Sequence, residues 1–325
     1  MADPTSQWPV TAPEGVLGVP PEGLPVARGP SRLMLRRLVH DRAALIGFGL
    51  LAALGLAALF APLLAPYSPT APHYADSLEG PGTRYLLGTD NLGRDELSRL
   101  LYGARLSLGA VLLATTAIMV VGVAVGLISG YYRGPVDSVI QRVLEILLAF
   151  PSLVLALAIV GILGPGLTSV LIAVVAVGWV SYARLVRAMV LSVREQPYVE
   201  GARAVGARGP RIMLRAVLPN IIPPVIVLAS LEVGALLLTI SALSFLGLGA
   251  QPPTPEWGTM LNQARPFFQS NPHLMIAPGL AIALTVLAFN LIGDGLRDAL
   301  DPKKTPLHGS ARSGLPRPWR RRRAP

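Results

Sequence analysis

The sequence predicts an all-α, polytopic membrane protein with six transmembrane helices, on three observations. Hydrophobic residues make up 52% of the 325-residue chain and charged residues 14%, against about 25% charged in an ordinary soluble domain. Six apolar runs reach the ~20 residues needed to cross a hydrocarbon core. The connections between those runs carry arginine very unevenly, as membrane topology requires.

Residues 1–30 have proline and glycine punctuation without periodicity and read as a disordered cytoplasmic leader. The first run, Ala43–Ala65, starts too late and is too long for the apolar part of a signal peptide, so it reads as an uncleaved helix. It belongs to a unit, 31–105, that also includes an outer-face segment. In that segment Asp90-Asn91-Leu92-Gly93 is turn chemistry, and Glu96–Arg105 predicts an interfacial helix with Leu97, Leu100, Leu101 and Ala104 on one side. The unit 106–302 holds the other five runs: Leu106–Gly130, Val143–Leu163, Leu167–Ala188, Ile221–Leu248 and Met275–Leu296. Pro252-Pro253 and Pro255 end the fifth, and Trp257 suits the membrane interface. Residues 303–325 form a basic cytoplasmic tail.

Orientation follows from the arginines. The N-terminal segment carries Arg28, Arg32, Arg36, Arg37 and Arg42, the connection after the fourth run carries Arg184, Arg187, Arg194, Arg203, Arg208, Arg211 and Arg215, and the tail ends PRPWRRRRAP. These are expected inside, with both termini cytoplasmic. Pro66–Ala104, with three arginines against five acids, and Ala250–Pro272 are expected outside. The +10 net charge is thus explained by orientation and attraction to anionic lipid, not by nucleic acid.

The composition argues against an enzyme. Cysteine is absent, which removes thiol nucleophiles and thiolate metal sites. His40, His73, His273 and His308 lie outside the runs, and no HExxH or GxSxG appears. Lys303 and Lys304 do not follow the glycines of a phosphate-cradling loop. Neither catalytic nor metal-binding residues are expected. One acid, Glu232, lies well within a run, where a charge costs about 2.5–3.5 kcal/mol, so it must be protonated, hydrogen-bonded inside the bundle or turned towards water. It is the candidate residue of a translocation path, and it also keeps open a self-contained ion-coupled carrier. Glu145, near an inner end, is expected to pair with Arg142.

Between the fourth and fifth runs stands YVEGARAVGARGPRIMLRAVLPN, Tyr198–Asn220. Pro197 suits a first helical turn, and the helix is expected to run until Gly209-Pro210 stops it; a second short turn, Arg211–Val217, precedes Leu218-Pro219. Val199, Ala202 and Val205 or Gly206 make a narrow apolar stripe. It is too meagre to bury in a membrane, and Gly201 and Gly206 weaken the helix. A small-residue helix of this kind fits a groove on a partner.

Glu200-Gly201-Ala202, then Gly206, then Leu218-Pro219 resembles the EAA motif of binding-protein-dependent ABC importer permeases, with Gly201 standing where alanine is usual and Ala216 where isoleucine is usual. Three further stretches look like signatures of the C-type subunit of the dipeptide/oligopeptide/nickel permeases: LLGTDNLGRDELSRLLYGARLSL (Leu86–Leu108), SALSFLGLGAQPPTPEWGTML (Ser241–Leu261) and PGLAIALTVLAFNLIGDGLRDALDP (Pro278–Pro302). The resemblance implies a type I ABC importer permease in the inner membrane, carrying peptides or, alternatively, nickel or another small solute. It implies a second homologous permease, two ATPase subunits holding ATP and Mg, and an extracytoplasmic substrate-binding protein as partners, with no cofactor in this chain. Glu200, Gly201, Ala202, Gly206, Leu218 and Pro219 would then form the ATPase-coupling segment, and Gly88, Thr89, Asp90, Gly93, Arg94 and Asp95 the outer-face motif.

Overall fold

The structure is a computed structural model that describes residues 38–300, so the leader and the basic tail lie outside the described residues. The described residues are helical and form no named strand. Helix α1 (Arg42–Leu59) starts at Asp41, whose carboxylate accepts from the Ala43 and Ala44 amides, and one further turn, α2 (Ala61–Leu64), follows. The chain then runs irregularly to Asp95, which caps α3 (Glu96–Tyr132) by accepting from Ser98 N.

Helix α3 has 37 residues, about 55 Å at 1.5 Å each, against a hydrocarbon core of ~30 Å. The interfacial helix expected over Glu96–Arg105 is therefore not a separate element. No proline interrupts residues 96 to 132, and the helix is longer than the hydrocarbon core it would cross.

The third run also departs from expectation. Val143–Leu163 is not one straight span: α4 (Gly134–Leu148) and α5 (Ser152–Leu163) meet at 88°. Pro151 disfavours helical geometry at Phe150 and cannot donate into the ladder. Among the described residues, five helices qualify as spans by length and composition, and six if the bent pair is taken as one. Arg142 and Glu145 on α4 pair at 3.0 Å, as expected.

After α6 (Leu167–Val193) and the short α7 (Pro197–Ala204), Gly209-Pro210 starts a helix where a stop was expected. Proline suits a first turn, because the amide it lacks would have no partner there. Helix α8 (Gly209–Ile212) passes through a π-helical stretch, Met213–Val217, into α9 (Leu218–Phe245) without a break. The non-helical link 246–256 leads to α10 (Trp257–Ala264), and α11 (His273–Leu300) closes the bundle.

Helix α3 packs along α6, α9 lies against α11, and α11 carries α1. The α3–α6 contact is close because Gly122, Gly126 and Gly130 recur every four residues on the facing side. A Cβ at Gly126 would lie 2.5 Å from the Ala183 carbonyl oxygen and 2.7 Å from Val186 Cβ. Gly126→Val is expected to destabilise the helix pair by about 1–3 kcal/mol, read as a lower Tm of the detergent-solubilised protein. An unchanged Tm would remove this seam as a determinant of the packing. Towards the C-terminal end of α6, Arg187 donates from Nε and Nη2 to the two oxygens of Asp137 on α4, both at 2.7 Å, and fixes the first arm of the bent pair.

Candidate functional site

The segment expected to couple to a partner is built from α7 and its cap. Pro197 occupies the first turn, and Val199 is fully buried against the chain's own core, with Ala202 packed beside it. The anticipated stripe of Val199, Ala202 and Val205 therefore does not face outward. Its first two members anchor α7 to the permease, and Val205, 84% exposed, follows the helix as its cap. The outward face of α7 is instead Glu200, Gly201 and Ala204, all exposed. A Cβ placed on Gly201 meets nothing within 4 Å.

Gly206 is not part of the helix. Its φ is +80°, its amide donates to the Arg203 carbonyl at 2.9 Å, and the Ala207 amide donates to the Ala202 carbonyl at 3.1 Å. These two bonds are the Schellman closure, which takes glycine at the left-handed position. Leu218 is half-buried and Pro219 exposed, both in the first turn of α9.

Helices α3, α5, α6 and α9 enclose a cavity of about 280 Å³ at span depth. Glu232 lines it, together with the hydroxyl-bearing Thr115, Ser152, Ser181, Tyr182 and Thr239. Glu232 is half-buried, shares the cavity lining with Tyr182, and forms no ion pair among the described residues. The Thr115 hydroxyl oxygen is buried without a hydrogen-bond partner. Of this set, only Glu232 stands out in the sequence. Thr239, seven residues on, could have been found from the helical period; the hydroxyls of α3, α5 and α6 are joined to it by tertiary packing alone.

The residues of the Gly88–Asp95 motif gather into one buried polar lattice. Thr89 bridges to Asp95, and Gly88 and Gly93 both take positive φ. Asp90 accepts from Arg94 Nε at 2.7 Å and from the Leu92 and Arg94 amides at 2.9 Å, with Arg99 Nε 3.5 Å away. Arg94 and Arg99 both donate to Gln263 Oε1, at 3.0 and 2.8 Å, which joins the loop to α10 across the sequence. Arg94 and Arg99 are 2% and 1% exposed, so these are interior ions and not a charged surface. Nearby, Tyr85 donates to Asp76 at 2.8 Å, and that hydrogen bond, with burial, raises the Tyr85 pKa.

Glu256, which the motif reading passed over, is fully buried. It caps α10 through the Gly258 and Thr259 amides, both at 2.9 Å, and accepts from Ser107 Oγ on α3. Trp257, expected at the lipid interface, is also fully buried and donates from Nε1 to the Leu100 carbonyl. Its neighbour's cap draws α10 inward over the first turns of α3, so the indole packs against protein and not headgroups.

Comparison with known proteins gives the same reading of the whole chain. Residues 122–306 match the family described as binding-protein-dependent transport system inner membrane component, and residues 29–81 match the N-terminal TM domain of oligopeptide transport permease C. The chain is 46% identical over 284 residues to the dipeptide transport system permease protein DppC of Alkalihalophilus pseudofirmus, covering 87% of this chain and 93% of that protein. It is 45% identical over 278 residues to the glutathione transport system permease protein GsiD of Pectobacterium atrosepticum, covering 85% and 92%. It is 46% identical over 283 residues to the di/tripeptide transport system permease protein DppC of Pseudomonas aeruginosa, covering 84% and 92%.

Proposed function

Because the chain belongs to the family of binding-protein-dependent transport system inner membrane components, we propose that it is one permease of an ATP-driven importer of di- or oligopeptides. The observation that carries the peptide reading is the near full-length similarity to permeases of dipeptide, di/tripeptide and glutathione systems. The lining of the cavity supports it. One carboxyl among hydroxyls suits an organic cargo that passes through, whereas a transition metal such as nickel is better met by imidazole or thiolate ligands. A proton or sodium relay would call for further acidic or basic side chains beside Glu232, and the cavity lining holds no other carboxyl, histidine, lysine or arginine.

In this reading the chain forms half of the path and a second, homologous permease the other half. Two ATPase subunits carry ATP and Mg on the inner side, and a soluble binding protein delivers cargo on the outer side. The exposed Glu200–Gly201–Ala204 face of α7 enters a cleft of one ATPase. ATP-driven approach of the ATPases then swings the bundles between inward-open and outward-open states. Both termini lie inside.

Two measurements test this. Proteoliposomes holding all partners are expected to take up a labelled tripeptide with ATP hydrolysis, and this chain alone to hydrolyse none. Turnover by the isolated chain would refute the division of labour. A cysteine introduced at exposed Glu79 is expected to react with an impermeant thiol reagent added to intact cells, and one at exposed Arg203 to react only after lysis. Reaction at position 203 from outside would reverse the topology.

A further inference from the structure

We propose that Glu232 gives the cavity a preference for cationic groups of the cargo, so that a protonated amine passes in contact with its carboxylate while an added carboxylate is held off. The inference rests on the peptide-importer reading above. A carboxyl within an apolar helix is retained against a standing desolvation penalty, which calls for a compensating partner. Elsewhere in the described chain such partners are present: Asp137 is paired with Arg187, and Asp90 with Arg94. Glu232 has no cationic partner there, and no residue lining the cavity is basic.

What surrounds it is neutral and rich in hydroxyls. Tyr182, 3% exposed, lines the cavity together with Glu232. Thr115 leaves a buried oxygen without a partner, and Ser152 and Ser181 are exposed where the cavity opens. Such a lining can hydrogen-bond a peptide backbone of any sequence, since hydroxyls both donate and accept. The single carboxyl is then the only charge that this chain contributes to the lining. A cation entering the cavity completes the missing pair, and an anion meets like charge in a poorly screened space.

The test uses the whole importer in proteoliposomes, with this chain, its partner permease, both ATPases and the binding protein. Initial uptake of Ala-Lys-Ala and of Ala-Glu-Ala is measured, and their ratio in each variant is divided by the wild-type ratio. That quotient cancels the binding protein's own preference and any difference in the abundance of the complex. In Glu232→Gln and in Glu232→Ala the ratio is expected to fall about tenfold, equivalent to about 1.4 kcal/mol, and in Glu232→Asp most of it is expected to return. An unchanged ratio in the Gln and Ala variants, or an equal loss of both peptides, overturns the cation preference while the peptide reading stands. Absence of ATP-dependent uptake of either peptide by the wild type overturns the peptide reading and the proposal with it.

Discussion

A permease carrying Gly201→Leu is expected to insert at normal abundance, yet to lose its ATPase subunits on purification and peptide-stimulated hydrolysis with them. Gly201 sits inside α7, and within the chain its Cβ position is open space. Leucine there improves intrinsic helix stability by about 0.8–1 kcal/mol over glycine, so the permease alone gains. A cleft fitted to the glycine face does not accommodate the isobutyl group. Propensity and docking therefore predict opposite signs. Glu200→Ala, which removes a charge-assisted contact of about 1.5–3 kcal/mol, is expected to weaken ATPase binding by roughly 10- to 150-fold. Retained ATPase and full transport in Gly201→Leu would reduce α7 to an ordinary cytoplasmic loop. Gly206 is the poorer probe, because leucine at φ +80° costs about 1–2 kcal/mol in the permease itself. Gly206→Asn keeps the left-handed cap and should keep the ATPase.

The second large effect belongs to the outer lattice. Asp90→Ala removes the partner of Arg94 and the acceptor of two backbone amides, and leaves two guanidiniums buried. Breaking a buried pair from one side typically costs about 3–5 kcal/mol, because the remaining charge stays desolvated. Thermal unfolding in detergent, with trypsin sensitivity of the 66–95 segment as a local reporter, measures it. Adding Arg94→Met to Asp90→Ala is expected to recover part of the loss, since the double change removes a stranded ion as well as its partner. A loss under about 1 kcal/mol in the single variant would mean that the segment is held by packing and not by its ions.

The spans were legible in the sequence because hydropathy is a sum over ~20 residues and tolerates local error. The break at 149–151 was obscured by the same averaging: Pro151 is visible, but the apolar run continues through it. The EAA-like motif picks out α7 in the sequence but not which way its small-residue stripe faces. A small-residue stripe fits the chain's own core as well as a partner's groove, and only burial shows that Val199 and Ala202 took the former. Gly206 could be read as a cap from its place before Gly209-Pro210, had the helix been ended sooner. The outer lattice was out of reach, because Arg94 and Gln263 meet across 169 positions and Ser107 and Glu256 across 149. No local pattern encodes such pairs. Glu232 was legible as an anomaly, but the cavity around it was not, since the hydroxyls come from separate helices.

The π-helical join at Met213–Val217 makes residues Gly209–Phe245 one continuous helix of 37 residues, with Pro223 and Pro224 in its interior. Glu232 lies 23 positions along it from Gly209, a distance of about 35 Å at helical rise. By that geometry, a tilt of only about 5° about the inner end carries position 232 sideways by about 3 Å, roughly the length of one hydrogen bond. Pivoted at the end beside α7, the helix carries the carboxyl of the cavity on its far arm. A mismatch too small to disturb packing at the inner surface thus suffices to make or break a contact at mid-membrane.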